Sequence, residues 1–309
     1  MKALAIDLGG TRLRAALYDE DYNQIARAET RTLPQEGKER VLARIMATAH
    51  EVTRDVRPDV IGMSTPGPMD AERGVILHSF ALPGWQDVPL TQIVSDEYGG
   101  APTFAQNDGN LGPIAEFRLG AGRGANPMIY LTISTWIGGG VIIDGKLFTG
   151  WSGHAAEPGH MQFLDHEGVP RRLEELASGT ALGWTAQRRL ATWEGTTILR
   201  AAPDVTGAAV GAAAAAGDTL ALEVVHEAAQ YLGLGIVNLL HLFSPQAIVI
   251  GGSVTKLGDL LFAPMRATIE VRVLDESFLP PNLIRMAALG DDVCLLGAVV
   301  NARDRAGVQ

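Results

Sequence analysis

The chain has 309 residues, enough for two domains with separate cores, and its 47% hydrophobic and 19% charged content excludes a disordered protein. A formal net charge of -10, with no cluster of Lys or Arg to offset it, argues against a nucleic-acid-binding surface. The single cysteine, Cys294, excludes an intramolecular disulfide and a Cys-rich zinc knuckle. Asp7 interrupts the first apolar run, so no N-terminal signal segment is expected. The longest apolar stretches are broken by Gly, Asn, His or Pro well before about 18 residues, so no membrane span is expected either. These features describe a cytoplasmic, soluble α/β protein.

The chain opens Lys2-Ala3-Leu4-Ala5-Ile6-Asp7-Leu8-Gly9-Gly10-Thr11, an apolar strand ending in an acid, two glycines and a threonine. A second apolar run, Leu13 to Tyr18, makes the pair a hairpin with a tight glycine turn. Paired glycines let a backbone approach a bulky anion and present N–H groups to it. Thr11 adds a hydroxyl donor, and Asp7 is placed to face a hydrated magnesium ion. The same residues also fit an ordinary hairpin turn with a solvated acid.

A strand is predicted around Ile25-Ala26-Arg27-Ala28. Glu36 to Arg57 has helical periodicity, with Val41, Ile45, Ala49 and Val52 on one face and Pro58 as its stop. The buried strand Val60 to Ser64 runs into the turn Thr65-Pro66-Gly67-Pro68. Another turn, Leu82-Pro83-Gly84-Trp85, precedes a helix over Leu90 to Tyr98. The strand Thr103 to Gln106 is followed at once by Asn107-Asp108-Gly109-Asn110. Such alternation predicts a sheet with helices on its faces.

Small and helix-breaking residues over 119–127 suggest a domain boundary or hinge. Then the opening pattern recurs. Met128 to Thr132 is an apolar strand, Ser134 to Gly140 is glycine-rich, and Val141-Ile142-Ile143 is a strand again, which signals an internal architectural repeat. Gly140 to Lys146 fits the first part of a P-loop, but Leu147 follows where Ser or Thr is needed, and Asp144-Gly145 between apolar runs is a hairpin signal. Gly120-Ala121-Gly122 lacks the strand and helix of a dinucleotide fingerprint. Helices are predicted within Ala177 to Thr192 and over Thr219 to Phe243, while the Ala-rich run Ala208 to Ala216 reads as helix or loop. The strand Ala247 to Ile250 ends in Gly251-Gly252-Ser253. A helix over Pro264 to Val273, a strand over Leu283 to Ala287 and a helix over Val293 to Arg303 close the chain.

Four motifs fall in the order and rough spacing of one group: Asp7-Leu8-Gly9-Gly10-Thr11, Asn107-Asp108-Gly109-Asn110, Glu157-Pro158-Gly159-His160 and Gly251-Gly252. On these residues the chain resembles the ROK family of repressors, open reading frames and sugar kinases, from about residue 2 to residue 304. The resemblance implies the actin-like ATPase (ribonuclease H-like) fold, two α/β domains with a cleft between them. The first domain would take residues 1–118 with a return helix at 293–309, and the second residues 119–292. It implies that Gly67, Asn107, Asp108, Glu157, His160 and Glu174 line a sugar site, with Asp108 as catalytic base. Asp7, Gly9, Gly10 and Thr11 would form a first phosphate loop, Thr135 and Gly138 a second, with Gly251 and Gly252 beside adenosine.

The chemistry of these residues suits those roles. Phosphoryl transfer needs an aligned hydroxyl, a base for its proton and cations for the phosphates. Flanking amides grip hydroxyls through donor and acceptor atoms while leaving an acid free to ionise. The Asn107 to Asn110 segment also fits an Asx-rich turn that caps the following helix, and His160 also fits a satisfied loop histidine.

Three departures from the family pattern stand out. Most members carry zinc on one His and three Cys between the positions of His160 and Glu174. Here Met161 to Leu173 is short and has no cysteine, and His154 and His166 nearby do not make a closed site. No structural zinc is expected, and His160 should be oriented by a hydrogen bond instead. In the second phosphate loop, Ser134 and Trp136 stand where glycines are usual, and Trp136 either obstructs phosphate or points away and packs against another domain or subunit. Ala81 replaces an asparagine before the Leu82-Pro83-Gly84-Trp85 turn, removing a contact to sugar. The resemblance implies a hexose kinase using ATP and Mg2+, and a homodimer. The alternatives are a non-catalytic sugar-binding regulator and a kinase using another donor such as polyphosphate. No DNA-binding helix-turn-helix precedes the first strand in this sequence.

Overall fold

The first strand, β1 (Ala3–Leu8), alternates small and large residues, and that alternation decides what packs on each side of it. The computed structural model describes residues 1–151, 153 and 155–307. The chain divides into two units, one of Met1–Arg123 with Ala288–Gln309 and the other of Gly124–Ala287.

In the first unit β1 is followed by β2 (Arg12–Tyr18), β3 (Gln24–Arg31), α1 (Lys38–Thr53) and β4 (Val60–Thr65). Three short strands come next, β5 (Met69–Asp70), β6 (Val75–His78) and β7 (Gln86–Val88), which form a small sheet of their own. Then come α2 (Leu90–Glu97), β8 (Thr103–Asn107) and α3 (Asp108–Arg118). The main sheet has the order β3-β2-β1-β4-β8. Its first two pairings are antiparallel, and β1–β4 and β4–β8 are parallel. Leu4, Ile6 and Leu8 pack in one cluster with Val41, Ile45 and Ala49 of α1. That helix is shorter than its periodicity suggested. Gly37 (φ 93°) opens it, and Arg54 (φ 46°) leaves helical geometry before Pro58 is reached.

The second unit repeats this plan. It runs β9 (Met128–Ile133), β10 (Ile137–Ile143), β11 (Lys146–Leu147), β12 (Gln162–Leu164), β13 (Pro170–Arg172), α4 (Leu173–Ala177) and α5 (Gly179–Leu190). It continues through α6 (Gly207–Ala215), α7 (Thr219–Phe243), β14 (Ala247–Gly251), α8 (Asp259–Arg272) and β15 (Ile284–Met286). The sheet order is β11-β10-β9-β14-β15, again antiparallel, antiparallel, parallel, parallel. Asp144 and Gly145 both have positive φ in the β10–β11 turn, as the hairpin reading requires. Gly138, Gly139 and Gly140 lie inside β10 rather than in a turn, because the reversal is completed over 134–136. The range Ala177 to Thr192, where helices are expected, holds α5 and the last residue of α4; Ser178 separates the two, since its Oγ accepts the Ala181 N–H and caps α5. Pro264 lies inside α8, which starts earlier than the proline suggested because Leu261, Phe262, Met265 and Ile269 form a buried face.

The 25-residue helix α7 is long and apolar enough to cross a bilayer, contrary to the expectation drawn from its breaks, but 61% of its apolar window is buried inside the protein. Val224, Val225, Ala228, Leu232 and Ile236 place it at the centre of the second unit's core. The hairpin β12–β13 had no sequence signal. It is tied by Asp165, whose Oδ1 accepts the N–H groups of Val169 (2.9 Å) and Glu167 (3.0 Å) and whose Oδ2 accepts Arg171 Nε (3.2 Å). The Val169 N–H foremost, and then Arg171, hold this carboxyl below its ordinary range.

The last helix, α9 (Val293–Ala306), belongs to the first unit. It packs with Ala3, Ala5 and Ala16, the small residues of β1 and β2, through Leu295, Ala298, Val299 and Ala302. Small residues let the helix come close. A Cβ on Gly62 of β4 would lie 2.0 Å from the Ala298 carbonyl oxygen, and one on Gly297 would lie 2.4 Å from that of Leu111.

Two outcomes follow from this packing. Gly62→Ala is expected to destabilise the fold by on the order of 1–3 kcal/mol, the usual cost of overpacking, and an unchanged melting temperature would refute the contact. Asp165→Asn should lower the melting temperature at neutral pH. A lowered carboxylate pKa stabilises above the unfolded value and loses that effect as pH falls through the folded one, so the gap from wild type should close below about pH 3.9.

Candidate active site

Parallel strands that pair side by side end along the same edge of a sheet, where ligands of α/β proteins collect. In the first unit Asp7 pairs with Ser64, Ser64 with Gln106, and Thr65 with Asn107. The ends of β1, β4 and β8 therefore bring Asp7, Gly9, Gly10 and Thr11 to the same edge as Gly67, Asn107 and Asp108. The glycine loop is held from below. Gly9 N–H donates to the Arg12 carbonyl (2.9 Å), Thr32 N–H to the Thr11 carbonyl (2.9 Å) and Thr32 Oγ1 to the Gly9 carbonyl (2.6 Å). Ala81 packs against Gly10, where a Cβ would stand 3.1 Å from the Ala81 methyl.

Asp7 is buried and ion-paired. Arg14, directly opposite it in the β1–β2 register, donates from Nε (2.9 Å) and NH2 (2.5 Å) to Asp7 Oδ2, and from NH1 to the Asp291 carbonyl (2.7 Å). Burial opposes the charge on Arg14, but the Asp7 carboxylate outweighs it and the guanidinium pKa is raised. Cys294, at the start of α9, lies near Asp108, with Sγ 4.0 Å from the Asp108 carbonyl oxygen. Burial, followed by the negative charges of Asp7 and Asp108, pushes its thiol up to about 12, so it stays a neutral group.

Asn107 caps α3, its Oδ1 accepting the Gly109 N–H at 2.9 Å. The capping reading of this segment therefore holds for Asn107, while Asp108 is the first helical residue and exposed. Asp108 Oδ1 also accepts the Gly109 N–H, at 2.8 Å, which orients the carboxylate. Gln106 Oε1 accepts from the Asn107 N–H (2.8 Å) and from Asn110 Nδ2 (3.1 Å), bracing both amides. Gly67 leaves room for the first of them, because a Cβ there would meet Asn107 Nδ2 at 2.6 Å.

In the second unit β9 and β14 are parallel partners, Thr132 opposite Gly251. Their ends join Ser134-Thr135 to Gly251-Gly252-Ser253, and Ser134 Oγ is 3.2 Å from Ser253 Oγ. Gly252 has φ 94°, and a Cβ on it would be 2.3 Å from the Ile133 carbonyl oxygen, so only glycine fits. The Thr135 carbonyl accepts from Thr180 Oγ1 (2.8 Å) and the Ser134 carbonyl from Gly179 N–H (2.7 Å), joining the loop to the start of α5. Beside it opens a cavity of about 690 Å³, walled by one face of α5 from Gly179 to Gln187, one face of α6 and residues 253–260. Trp136 is not a left-handed residue, and its ring meets Trp184 of α5 edge-on at 5.7 Å between centroids. It thus packs away onto its own unit.

Glu157, His160 and Glu174 form a second cluster in this unit. The His160 N–H donates to the Glu157 carbonyl (3.1 Å), and Gly159 lies against β10, where a Cβ would be 2.1 Å from the Ile137 carbonyl oxygen. Glu157 and His160 are exposed, while Glu174 is 6% exposed. Glu174 Oε1 is 2.8 Å from Arg172 NH1 and 3.7 Å from His160 Nε2. The latter is an ion-pair distance, longer than the hydrogen bond expected to orient this histidine. Among the described residues no group of three or more His, Cys, Asp and Glu is placed to hold a metal ion, and His154 lies outside them.

Sequence reasoning missed Arg14, Arg172, and the cavity wall formed by Gly179, Thr180, Trp184 and Gly207. Arg14 was visible as a lone charge in an apolar strand facing Asp7 across the turn. The wall was signalled by Ser178-Gly179 and Thr206-Gly207, each an N-cap residue followed by the first residue of a helix.

The sequence profile of the ROK family matches residues 3–305. The chain is 31% identical over 315 residues to a glucokinase of Thermotoga maritima, covering 99% of each protein. It superposes on a ROK hexokinase of Thermus thermophilus with a TM-score of 0.81 and 33% identity, covering 99% of both chains. It also superposes on a ROK glucokinase of Streptomyces griseus, solved with glucose and AMPPNP, with a TM-score of 0.78 and 29% identity over 98% of this chain and all of that one. With its actin-like, two-domain α/β fold and a match along nearly its whole length, this chain belongs to the ROK family.

Proposed function

We infer that the chain works as an ATP-dependent hexose kinase. The observation that carries this reading is the Asn107–Asp108 pair at the end of β8, on the same sheet edge as the Gly9-Gly10-Thr11 loop. In the first unit the side chains offered to the sugar are Asn107 and Asp108, with the Gly67 backbone beside Asn107; in the second unit Glu157, His160 and Glu174 form a cluster of the same hydroxyl-binding chemistry. Asn107 commits Oδ1 to its cap, so its Nδ2 is the donor for a sugar oxygen. Asp108 takes the proton of the reacting hydroxyl as that oxygen attacks the γ-phosphorus. The bond from the γ-phosphorus to the bridging oxygen breaks, and ADP leaves with the electron pair.

The nucleotide falls to the second unit, with its phosphates at Thr135 and Gly138 and with Gly251 and Gly252 beside its nucleoside; Thr135, and Ser253 next to these glycines, line the cavity of about 690 Å³. That volume is in the usual range for small-molecule sites. In the first unit the N–H groups of Gly10 and Thr11 are the donors of the phosphate loop, in which the Gly9 N–H closes the turn onto the Arg12 carbonyl. Magnesium would supply neutralisation of the triphosphate charge, and Asp7, with Oδ2 held by Arg14, would hold it through water. The reading also includes a cytoplasmic homodimer, which light scattering on the purified protein tests.

A coupled ADP-release assay over a panel of hexoses, glucose first, should give sugar-dependent turnover with one clear preference. Asp108→Asn keeps the side-chain shape and removes the base, and it should lower kcat by about 10²–10⁴-fold with an unchanged circular dichroism spectrum. Full turnover in that variant would reject Asp108 as the base.

A further inference from the structure

We propose that Trp184, braced by Trp136, is the stacking surface for the base of the donor, and that this pair commits the cavity to a nucleoside triphosphate rather than a chain of phosphates. The inference rests on the kinase reading and concerns the donor alone. Trp184 lines the cavity and is 50% exposed, while Trp136 is 45% exposed and meets it edge-on. A half-exposed indole at the wall of a cavity, with a second indole packed beside it, is a large apolar surface left open to a ligand.

The position along α5 suits a base. Gly179 and Thr180, at the start of the helix, hold the Ser134-Thr135 loop. With a rise of 1.5 Å per residue, Trp184 stands about 7 Å further along the helix axis. That separation carries a ligand from the phosphate end of the cavity to the depth of a nucleoside. The composition of the wall points the same way. Lys256 is the one charged side chain among the described lining residues, and the remainder includes Leu182, Val254, Leu257 and Leu260. A chain of phosphates extending along this wall would leave most of its negative charges unmatched. A flat aromatic base loses nothing there, and every base has a face to offer an indole.

Trp136 also acquires a purpose. The residue follows Thr135 directly, in a loop where a bulky side chain would otherwise crowd the phosphates. Its contact with Trp184 draws the indole aside and limits the freedom of the Trp184 ring, so less order is lost when a base stacks on it.

The test compares wild type with Trp184→Ala, Trp184→Phe and Trp151→Ala, the last altering a fully exposed tryptophan outside the cavity lining. The readouts are KM for ATP, KM for sugar, quenching of tryptophan fluorescence, and calorimetric binding of ATP and of tripolyphosphate. Trp184→Ala should raise KM for ATP by roughly tenfold, the loss of one base–aromatic stack, with KM for sugar held. It should also lose most of the ATP-induced quenching and leave tripolyphosphate binding as in wild type. Trp184→Phe should recover part of the ATP affinity, and Trp151→Ala should match wild type. An unchanged KM for ATP in Trp184→Ala overturns the proposal, as does an equal loss of tripolyphosphate binding. If the wild-type protein transfers no phosphoryl group from ATP to any hexose, the kinase reading itself fails. Binding of ATP to that inactive protein, lost in Trp184→Ala, would still support the stacking surface.

Discussion

Parallel pairing of strands is the constraint on which the site depends. Parallel neighbours must end on the same edge, so the residues that follow them gather there however far apart they lie in the chain. Asp7, Gly67 and Asn107 are brought together by the β1–β4–β8 ladder, and Ser134 and Gly252 by β9–β14. Both five-stranded sheets share one order and one pattern of directions. Each unit therefore presents a glycine-containing loop after its first strand and a second loop from the parallel partner. The repeated topology yields a glycine-bearing edge in each unit from one architectural rule.

Close packing without side chains makes the arrangement possible. The return helix α9 sits against a floor of alanines and Gly62, and its own Gly297 rests on the Leu111 backbone. The alternation of β1 explains why this face is small and the opposite face large. Asp7 lies on the small face, where an isolated carboxylate would be costly to bury. Arg14 offsets that cost from the facing position, and its third contact, to the Asp291 carbonyl, ties the pair to the approach of α9. One charge pair thus joins strand, hairpin partner and final helix. Removing either partner would leave a buried charge uncompensated.

The second unit meets two local problems with carboxylates. The short β12–β13 hairpin is ordered by Asp165 accepting from Val169, Glu167 and Arg171. Glu174 is shared between Arg172 and His160, so the histidine leans on an oxygen already held by an arginine. The departures at Ser134 and Trp136 are similarly absorbed. Trp136 has an ordinary backbone conformation and packs on Trp184, and Ser134 finds Ser253.

Local chemistry determined much of this protein from its sequence alone. The Asp144-Gly145 turn, the bounds of α7, the strand–glycine–strand repeat and the ends of β8 and β14 follow from residues within a few positions of one another, so propensity and periodicity suffice. The same holds for the motif residues at the strand ends, whose chemistry is written in their types. What tertiary structure decided joins distant parts of the chain. Gly138 to Gly140 entered β10 because the β9 ladder claims their backbone groups, and α8 ran through Pro264 because its apolar face is buried. The β12–β13 hairpin was set by one carboxylate and its backbone partners. The wall of the 690 Å³ cavity assembles α5, α6 and the segment after β14, whose closeness depends on packing and not on any local signal. Arg14 stood in plain view as a residue, but only the strand register made it the partner of Asp7.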